Sequence, residues 1–174
     1  MQQAELTKRL QDRFGDRILR TSSMFGQDAI TIRGESIREV AQFLRDEPDL
    51  AMNFLMDLAG VDYLEYGDDR AWRFEVVYNF YSLGQNHRYR VKVAVPEDQL
   101  EVPSLWDLWP VANWMEREVY DMFGVRFSGH PNLRRILCHD EFVGHALRKD
   151  YPINRRQKLG KPTEYLIPDD PDWA

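Results

Sequence analysis

Residues 72–95, which read WRFEVVYNFYSLGQNHRYRVKVAV, decide the fold of this chain. Apolar side chains occupy every second position in both halves of the stretch: Phe74, Val76, Tyr78 and Phe80, then Tyr89, Val91, Val93 and Val95. Such alternation is typical of β-strands that bury one face. Gly84, Gln85 and Asn86 separate the halves and indicate a turn. The stretch therefore predicts a long antiparallel hairpin whose second strand has one charged, solvent-exposed face.

Two amphipathic helices are predicted before the hairpin. Residues 4–14 place apolar side chains one turn apart and are followed by Gly15, which favours a helix end. A second helix has Ser36 as its predicted N-cap, and Glu39 three residues later would complete a capping box. Pro48 marks the end of this second helix.

The remaining periodic segments complete an α+β fold. Residues 29–33 and 59–64 predict further strands, and Ser104 is the expected cap of a helical stretch after the hairpin. Residues 110–123 predict the last helix, which ends at Gly124, a residue that readily adopts a left-handed conformation. The prediction is a single domain with a mainly antiparallel sheet, helices packed on one face, and an irregular C-terminal arm.

Charge separates the arm from the rest of the chain. The net charge is −6, yet residues 126–161 hold nine Lys and Arg against three acids. Five prolines interrupt the last part of the chain, where periodicity is lost: 131, 152, 162, 168 and 171. We therefore predict a core domain at 1–125 and an extended, basic docking arm at 126–174, which would lie on an acidic partner surface. A solvated basic loop is the alternative interpretation.

The sequence lacks the residues that several kinds of chemistry require. Cys138 is the single cysteine, whereas an iron–sulfur cluster is held by about four protein ligands. His130, His139 and His145 form no familiar zinc-binding spacing with it. Phosphate-binding and nucleophile motifs are absent, and no apolar run approaches the roughly 20 residues of a transmembrane helix. The acidic body argues against nucleic-acid binding. We expect no cofactor, metal or catalytic residue in this chain.

Glu118 is the most informative charged residue of the last predicted helix. Its neighbours at helical spacing are apolar: Val111, Trp114, Met115 and Met122. A carboxylate in such a stripe requires a cation, and Arg134, Arg135 or a partner's arginine are the candidates. A surface carboxylate at the edge of the stripe is the alternative. Glu116 lies two residues away and so points to a different side, which argues against a shared acid–base site.

Three stretches resemble one known family. Residues 116–125 (EREVYDMFGV), 129–137 (GHPNLRRIL) and 144–152 (GHALRKDYP) are similar to the signature of the 30-kDa-type, or C-type, subunit of respiratory complex I. Residues 73–78 and 109–114 fit the same family, so the resemblance runs from about residue 30 to 155. The chain departs from the family at Ala146, where proline is usual.

The resemblance implies a non-catalytic subunit of a proton-pumping NADH:quinone oxidoreductase. It implies a place in the peripheral arm, on the cytoplasmic side of a bacterial inner membrane, with membrane contact only through the complex. The expected neighbours are the 49-kDa-type quinone-pocket subunit and the subunit of the terminal cluster. FMN, the iron–sulfur clusters, NADH and quinone would bind to partner subunits. The alternative is the equivalent subunit of a ferredoxin- or F420-dependent quinone reductase or of a membrane-bound hydrogenase.

The quoted motifs also supply the candidate residues for structural or partner-docking roles. These are Glu116, Arg117, Glu118, Asp121, Gly124, His130, Pro131, Arg134, Arg135, Arg148, Lys149 and Asp150.

Overall fold

A computed structural model describes residues 3–67, 69–155 and 157. Its helices are α1 (Gln3–Phe14), α2 (Ile37–Asp46) and α3 (Ala112–Phe123). Its strands are β1 (Ile18–Met24), β2 (Gln27–Arg33), β3 (Phe54–Asp62), β4 (Phe74–Ser82), β5 (His87–Val95), β6 (Glu101–Pro103) and β7 (Arg126–Ser128). Of the predicted arm, residues 156 and 158–174 lie outside the described part of the chain.

The predicted hairpin is confirmed and forms the middle of the main sheet. Strands β4 and β5 pair antiparallel in full register from Phe74↔Val95 to Ser82↔His87. The five-stranded sheet has the order β1-β2-β5-β4-β3. Three of its four pairings are antiparallel, and only β2 and β5 run parallel. A smaller parallel pair joins β6 to β7. The α+β prediction with a mainly antiparallel sheet is thus confirmed, although the sheet is mixed.

The core lies between one face of this sheet and the three helices. The alternating apolar residues of β4 and β5 are buried, as the sequence predicted. The same cluster contains Leu6 and Leu10 of α1, Val40 and Leu44 of α2, and Val119 of α3. The helices of the described residues therefore pack on a single face, because that face of β4 and β5 carries the buried apolar side chains.

Gly60 sets the distance between α3 and the sheet. It lies in β3 opposite Val76, on the core side of the sheet. A Cβ atom at this position would lie 2.4 Å from Cδ2 of Phe123, the last residue of α3. Only glycine leaves room for the Phe123 ring, so the close approach of the helix end to β3 depends on a missing side chain.

Several local predictions need correction. The capping box is wrong, because Ser36 makes no side-chain cap hydrogen bond and Glu39 pairs with Arg17 instead. Ser104 follows a strand and caps no helix. The strand expected at 59–64 begins earlier and ends at Asp62. Strands β1, β6 and β7 were not predicted, since short or wholly exposed strands carry no clear alternation.

Replacing Gly60 by alanine should destabilise the domain by about 1–3 kcal/mol, because the new methyl group would collide with the Phe123 ring. Chemical denaturation monitored by circular dichroism measures this change. Gly15→Ala is the matched control, since a Cβ atom there meets nothing within 4 Å. A Gly60→Ala variant as stable as the wild type would contradict the proposed close packing.

Candidate interaction site at the end of helix α3

The carboxyl end of α3 is capped by the arm. Gly124 has φ +81° and ends the helix in the predicted left-handed conformation. The last carbonyl groups of a helix lack partners within it. Here the Nδ1–H of His145 donates to the Asp121 carbonyl at 2.9 Å, and Arg148 Nε donates to the Phe123 carbonyl at 2.6 Å. The Leu147 amide donates to the Met122 carbonyl at 3.1 Å. Three groups of the arm thus complete the helix end.

Gly124 is required at this junction for two reasons. Its positive φ disfavours residues with a side chain. A Cβ atom there would also lie 2.5 Å from Arg148 Nη2 and 2.6 Å from His145 Nε2. The glycine therefore ends the helix and leaves space for the two side chains that cap it.

Asp121 joins α3 to the first part of the arm. Its carboxylate is fully buried, and Oδ2 accepts hydrogen bonds from the amides of Ile136, Leu137 and Cys138 at 2.8–3.1 Å. Oδ1 accepts from Arg135 Nη1 at 2.6 Å. Burial alone would raise the pKa of Asp121, but the hydrogen bonds outweigh burial and hold that pKa below its usual value. We call Asp121, Arg135, His145 and Arg148 together the α3 clasp.

A second ion cluster holds the following part of the arm. Arg73 donates to both carboxylate oxygens of the buried Asp62, at 3.0 and 2.9 Å. The same guanidinium contacts Asp150 at 2.9 Å and Glu97 at 2.5 Å. The Lys149 amide donates to Asp62 Oδ2 at 2.8 Å. The hydrogen bond to Asp62 is the main cause of a raised Arg73 pKa, so this pair stays charged. Lys149 and Asp150 are thereby tied to Asp62 in β3 and to Arg73, which directly precedes β4.

Glu116 is buried on the core side of α3. Its carboxylate accepts from Ser104 Oγ at 2.5 Å and from the Leu105 amide at 2.7 Å. Burial raises the pKa of Glu116 to about 7, and these two hydrogen bonds oppose the rise only in part. The residue fastens the segment after β6 to the helix.

Arg117 and His130 position the start of the arm. Arg117 Nε and Nη2 donate to the carbonyls of Arg134 and Arg135, each at 3.1 Å. His130 Nε2 donates to the Asn113 carbonyl at 3.0 Å, and its Nδ1 accepts from the Asn132 amide. Both side chains bridge α3 to the returning backbone.

The predicted burial of Glu118 is wrong. Glu118 is exposed, as the alternative of a surface carboxylate had it, and Arg135, one of the candidate cations, binds Asp121 instead. The buried face of α3 carries Ala112, Glu116, Val119, Met122 and Phe123. Val111 and Trp114 are 40% and 61% exposed, whereas Met122 is buried, so the predicted apolar stripe was too wide and extended onto the solvent side of the helix. The size of Trp114 was the misleading signal, since this ring lies under Arg117 on the solvent side. The inference that Glu116 and Glu118 face different sides is confirmed.

The twelve predicted residues fall into two groups. Eight make the internal contacts described above: Glu116, Arg117, Asp121, Gly124, His130, Arg135, Arg148 and Asp150. Glu118, Pro131, Arg134 and Lys149 present exposed side chains. Contact with a partner remains a prediction for all twelve.

Sequence reasoning did not select Asp62, Arg73 or His145, although these residues are central to the site. Asp62 continues the core-facing positions of β3 and pairs with Phe74 in the sheet. The available signal was an acidic residue at a core-facing position near the end of an apolar strand. A buried carboxylate requires a cation nearby.

The polar side chains of the site are engaged in hydrogen bonds and ion pairs within the chain. Among the described residues, no group of three His, Cys, Asp or Glu side chains is placed to hold a metal ion. Burial and the neighbouring Asp121 raise the pKa of the Cys138 thiol, which disfavours the nucleophilic thiolate. No helix in the described part of the chain has the length and apolar character to cross a bilayer.

Comparison with known proteins agrees with these motifs. A family model described as the 30-kDa subunit of respiratory-chain NADH dehydrogenase matches residues 30–157. A Roseiflexus castenholzii protein, named as the C subunit of NADH-quinone oxidoreductase, is 48% identical over 149 residues, which cover 86% of this chain and 83% of that protein. The protein of the same name from Methylobacillus flagellatus is 44% identical, and the match covers 86% of this chain and 77% of that protein.

Two solved structures share the fold. The trypsin-resistant fragment 1–134 of Nqo5 has a TM-score of 0.67 and 35% identity, covering 76% of this chain and all of that fragment. A chain of the archaeal membrane-bound sulfane sulfur reductase has a TM-score of 0.68 and covers 88% of both chains. At 21% identity, that second likeness shows the fold alone.

Replacing Asp121 by asparagine should lower the free energy of unfolding at pH 7 by about 3–5 kcal/mol, because it breaks a buried ion pair and places amide hydrogens near backbone donors. Because the Asp121 pKa is lowered on folding, its stabilisation is present above about pH 4 and is lost on acidification. Urea denaturation measures the difference. Glu118→Gln, an exposed site on the same helix, should change stability by at most about 0.5 kcal/mol. Equal effects of the two substitutions would contradict the assignment.

Stability should fall between about pH 4.5 and 7 through Glu116. The folded state keeps this carboxyl protonated up to a pKa of about 7, whereas the unfolded chain releases the proton near 4.5. Unfolding therefore becomes easier as pH rises through this window, by about 3 kcal/mol in total. Glu116→Gln should remove this slope. Burial lowers the pKa values of His130 and His145, so these two residues make stability rise with pH. Both histidines are present in the wild type and in Glu116→Gln, so the difference between the pH profiles of the two proteins isolates Glu116. Identical profiles would overturn the prediction.

Proposed function

Because this chain belongs to the family of the 30-kDa subunit of respiratory-chain NADH dehydrogenase, we propose that it acts as a non-catalytic docking subunit. The family places it in the peripheral arm of an NADH-quinone oxidoreductase, the complex that transfers electrons from NADH to quinone and translocates protons. The relatives compared above are named for this NADH-linked complex, which disfavours a ferredoxin- or F420-dependent reductase or a hydrogenase.

The observation that carries the proposal is the internal pairing of the buried acids. Asp62, Glu75, Glu116 and Asp121 are the buried carboxylates of the described residues, and each accepts hydrogen bonds from this chain. Groups that would serve as acids, bases or ligands are thereby engaged in holding the arm and the sheet together. This arrangement supports a structural role.

The arm supplies the proposed contact surface. Leu137, Val143 and Leu147 are between 53% and 64% exposed, although hydrogen bonds to the clasp and to the end of α3 hold the backbone at Leu137, Gly144 and Leu147. Exposed apolar side chains on a fixed backbone lose little conformational freedom on association. The basic charge of the arm favours an acidic partner surface. We propose the 49-kDa-type quinone-pocket subunit and the terminal-cluster subunit as the partners.

The same proposal assigns the cofactors and the position in the cell. FMN, the iron–sulfur clusters, NADH and quinone would bind to partner subunits. The complex would hold this chain on the cytoplasmic side of a bacterial inner membrane.

Replacing Val143 and Leu147 together by serine should reduce the amount of chain recovered in the complex about tenfold, since each loses apolar contact area with the partner. Quantitative mass spectrometry of complexes purified in mild detergent, from cells that express both the variant and the wild type, measures the ratio. Leu83→Ser is the matched control, because Leu83 is similarly exposed, at 64%, but lies in the β4–β5 turn.

Equal recovery of the double variant and the wild type would remove the arm as the contact surface. The isolated wild-type chain should be colourless and should not oxidise NADH. A stoichiometric bound flavin or cluster in that preparation would refute the non-catalytic role.

A further inference from the structure

The turn between β1 and β2 presents a bare apolar tip. Phe25 is 96% exposed and Met24 is 68% exposed. The hairpin is well formed up to the tip, with Met24 paired to Gln27. Phe25 and Gly26 are therefore the two central residues of a tight turn. Single exposed apolar residues are common on proteins, so exposure alone assigns no role to this tip.

The backbone of this turn is unfavourable for phenylalanine. Phe25 has φ +53° and Gly26 has φ +72°, and positive φ at both positions characterises a type I′ turn. Asparagine, aspartate and glycine are preferred there, because a bulky side chain at positive φ is strained. The β4–β5 turn of the same chain has Asn86 at φ +51°. One hairpin thus uses a residue suited to this conformation, whereas the other places a large aromatic ring in it.

The tip does not serve the core of its own domain. In β1 only Ile18 is partly buried, and the following six residues are exposed. The aromatic ring pairs among the described residues do not include Phe25. No stabilising contact within the described residues thus offsets the strain of the turn.

The surroundings of the tip fit a protein pocket. Residues 21–27 read TSSMFGQ and contain no charged side chain. Burying this segment therefore removes no charge from water. Aromatic residues and methionine are enriched in the buried centres of protein interfaces, where charged residues are depleted. Attachment to a membrane surface would favour Lys or Arg beside the apolar residues, and this segment has neither.

We propose that Phe25 anchors this chain to a neighbouring subunit of the same complex by inserting its ring, with Met24 beside it, into an uncharged apolar pocket. This contact is separate from the arm and lies before the residues matched by the family model. It rests on the proposed role as an assembly subunit. The strained turn holds the ring away from the domain, so the pocket receives a side chain that is already in position.

Cross-linking in the assembled complex tests the contact directly. A photoreactive phenylalanine analogue at position 25 should form one dominant cross-link to another subunit of the purified complex, identified by mass spectrometry. The same analogue at position 83 is the control in the other hairpin. Cross-links to lipid, to a second copy of this chain, or to nothing would overturn the proposal. Failure of the wild-type chain to enter any complex would instead refute the proposed function.

A substitution separates anchoring from a merely structural role. Phe25→Asn suits the turn, so the isolated full chain should be at least as stable as the wild type to urea. When both chains are expressed in one cell, the variant should be recovered in the complex about tenfold less than the wild type. Equal recovery, or a less stable isolated chain, would contradict the proposal.

Discussion

The buried Asp121 carboxylate is the contact on which the arrangement of the arm depends. Three consecutive amides and the Arg135 guanidinium converge on it. These donors come from a segment without regular secondary structure, whose backbone groups need partners as much as those of a helix do. A single acid in the last turn of α3 thus orders residues 135–138. His145 and Arg148 then complete the helix end with the next part of the arm.

Different surroundings give the buried acids different properties. Asp121 and Asp62 each face a guanidinium group and several amides, so their pKa values fall and the acids stay charged. Glu116 has a hydroxyl and one amide as partners, and burial raises its pKa to about 7. The contacts of Asp121 and Asp62 are costly to break, because removing one partner leaves a buried charge unpaired. Glu116 is the group whose charge changes near neutral pH.

These contacts fit the proposed role of a subunit that contributes surface to an assembly. The arm is tied to the domain at α3, at β3 and at Arg73 just before β4, and its apolar side chains at positions 137, 143 and 147 are exposed. The β1–β2 tip presents a second exposed ring far from the arm in sequence, before the shared family segment. In the proposed contacts, both features would reduce the ordering required on association.

The sequence alone determined the elements that depend on near neighbours. Alternation predicted the β4–β5 hairpin, and Gly124 predicted the end of α3, because both follow from local backbone preferences. The family motifs also located three residues of the α3 clasp, Asp121, Arg135 and Arg148, but not His145. Tertiary structure decided which side of α3 is buried, which acid binds Arg135, and that β2 runs parallel to β5. Those outcomes depend on contacts between residues far apart in the chain, such as Ile30 of β2 and Val91 of β5, which no local sequence pattern encodes.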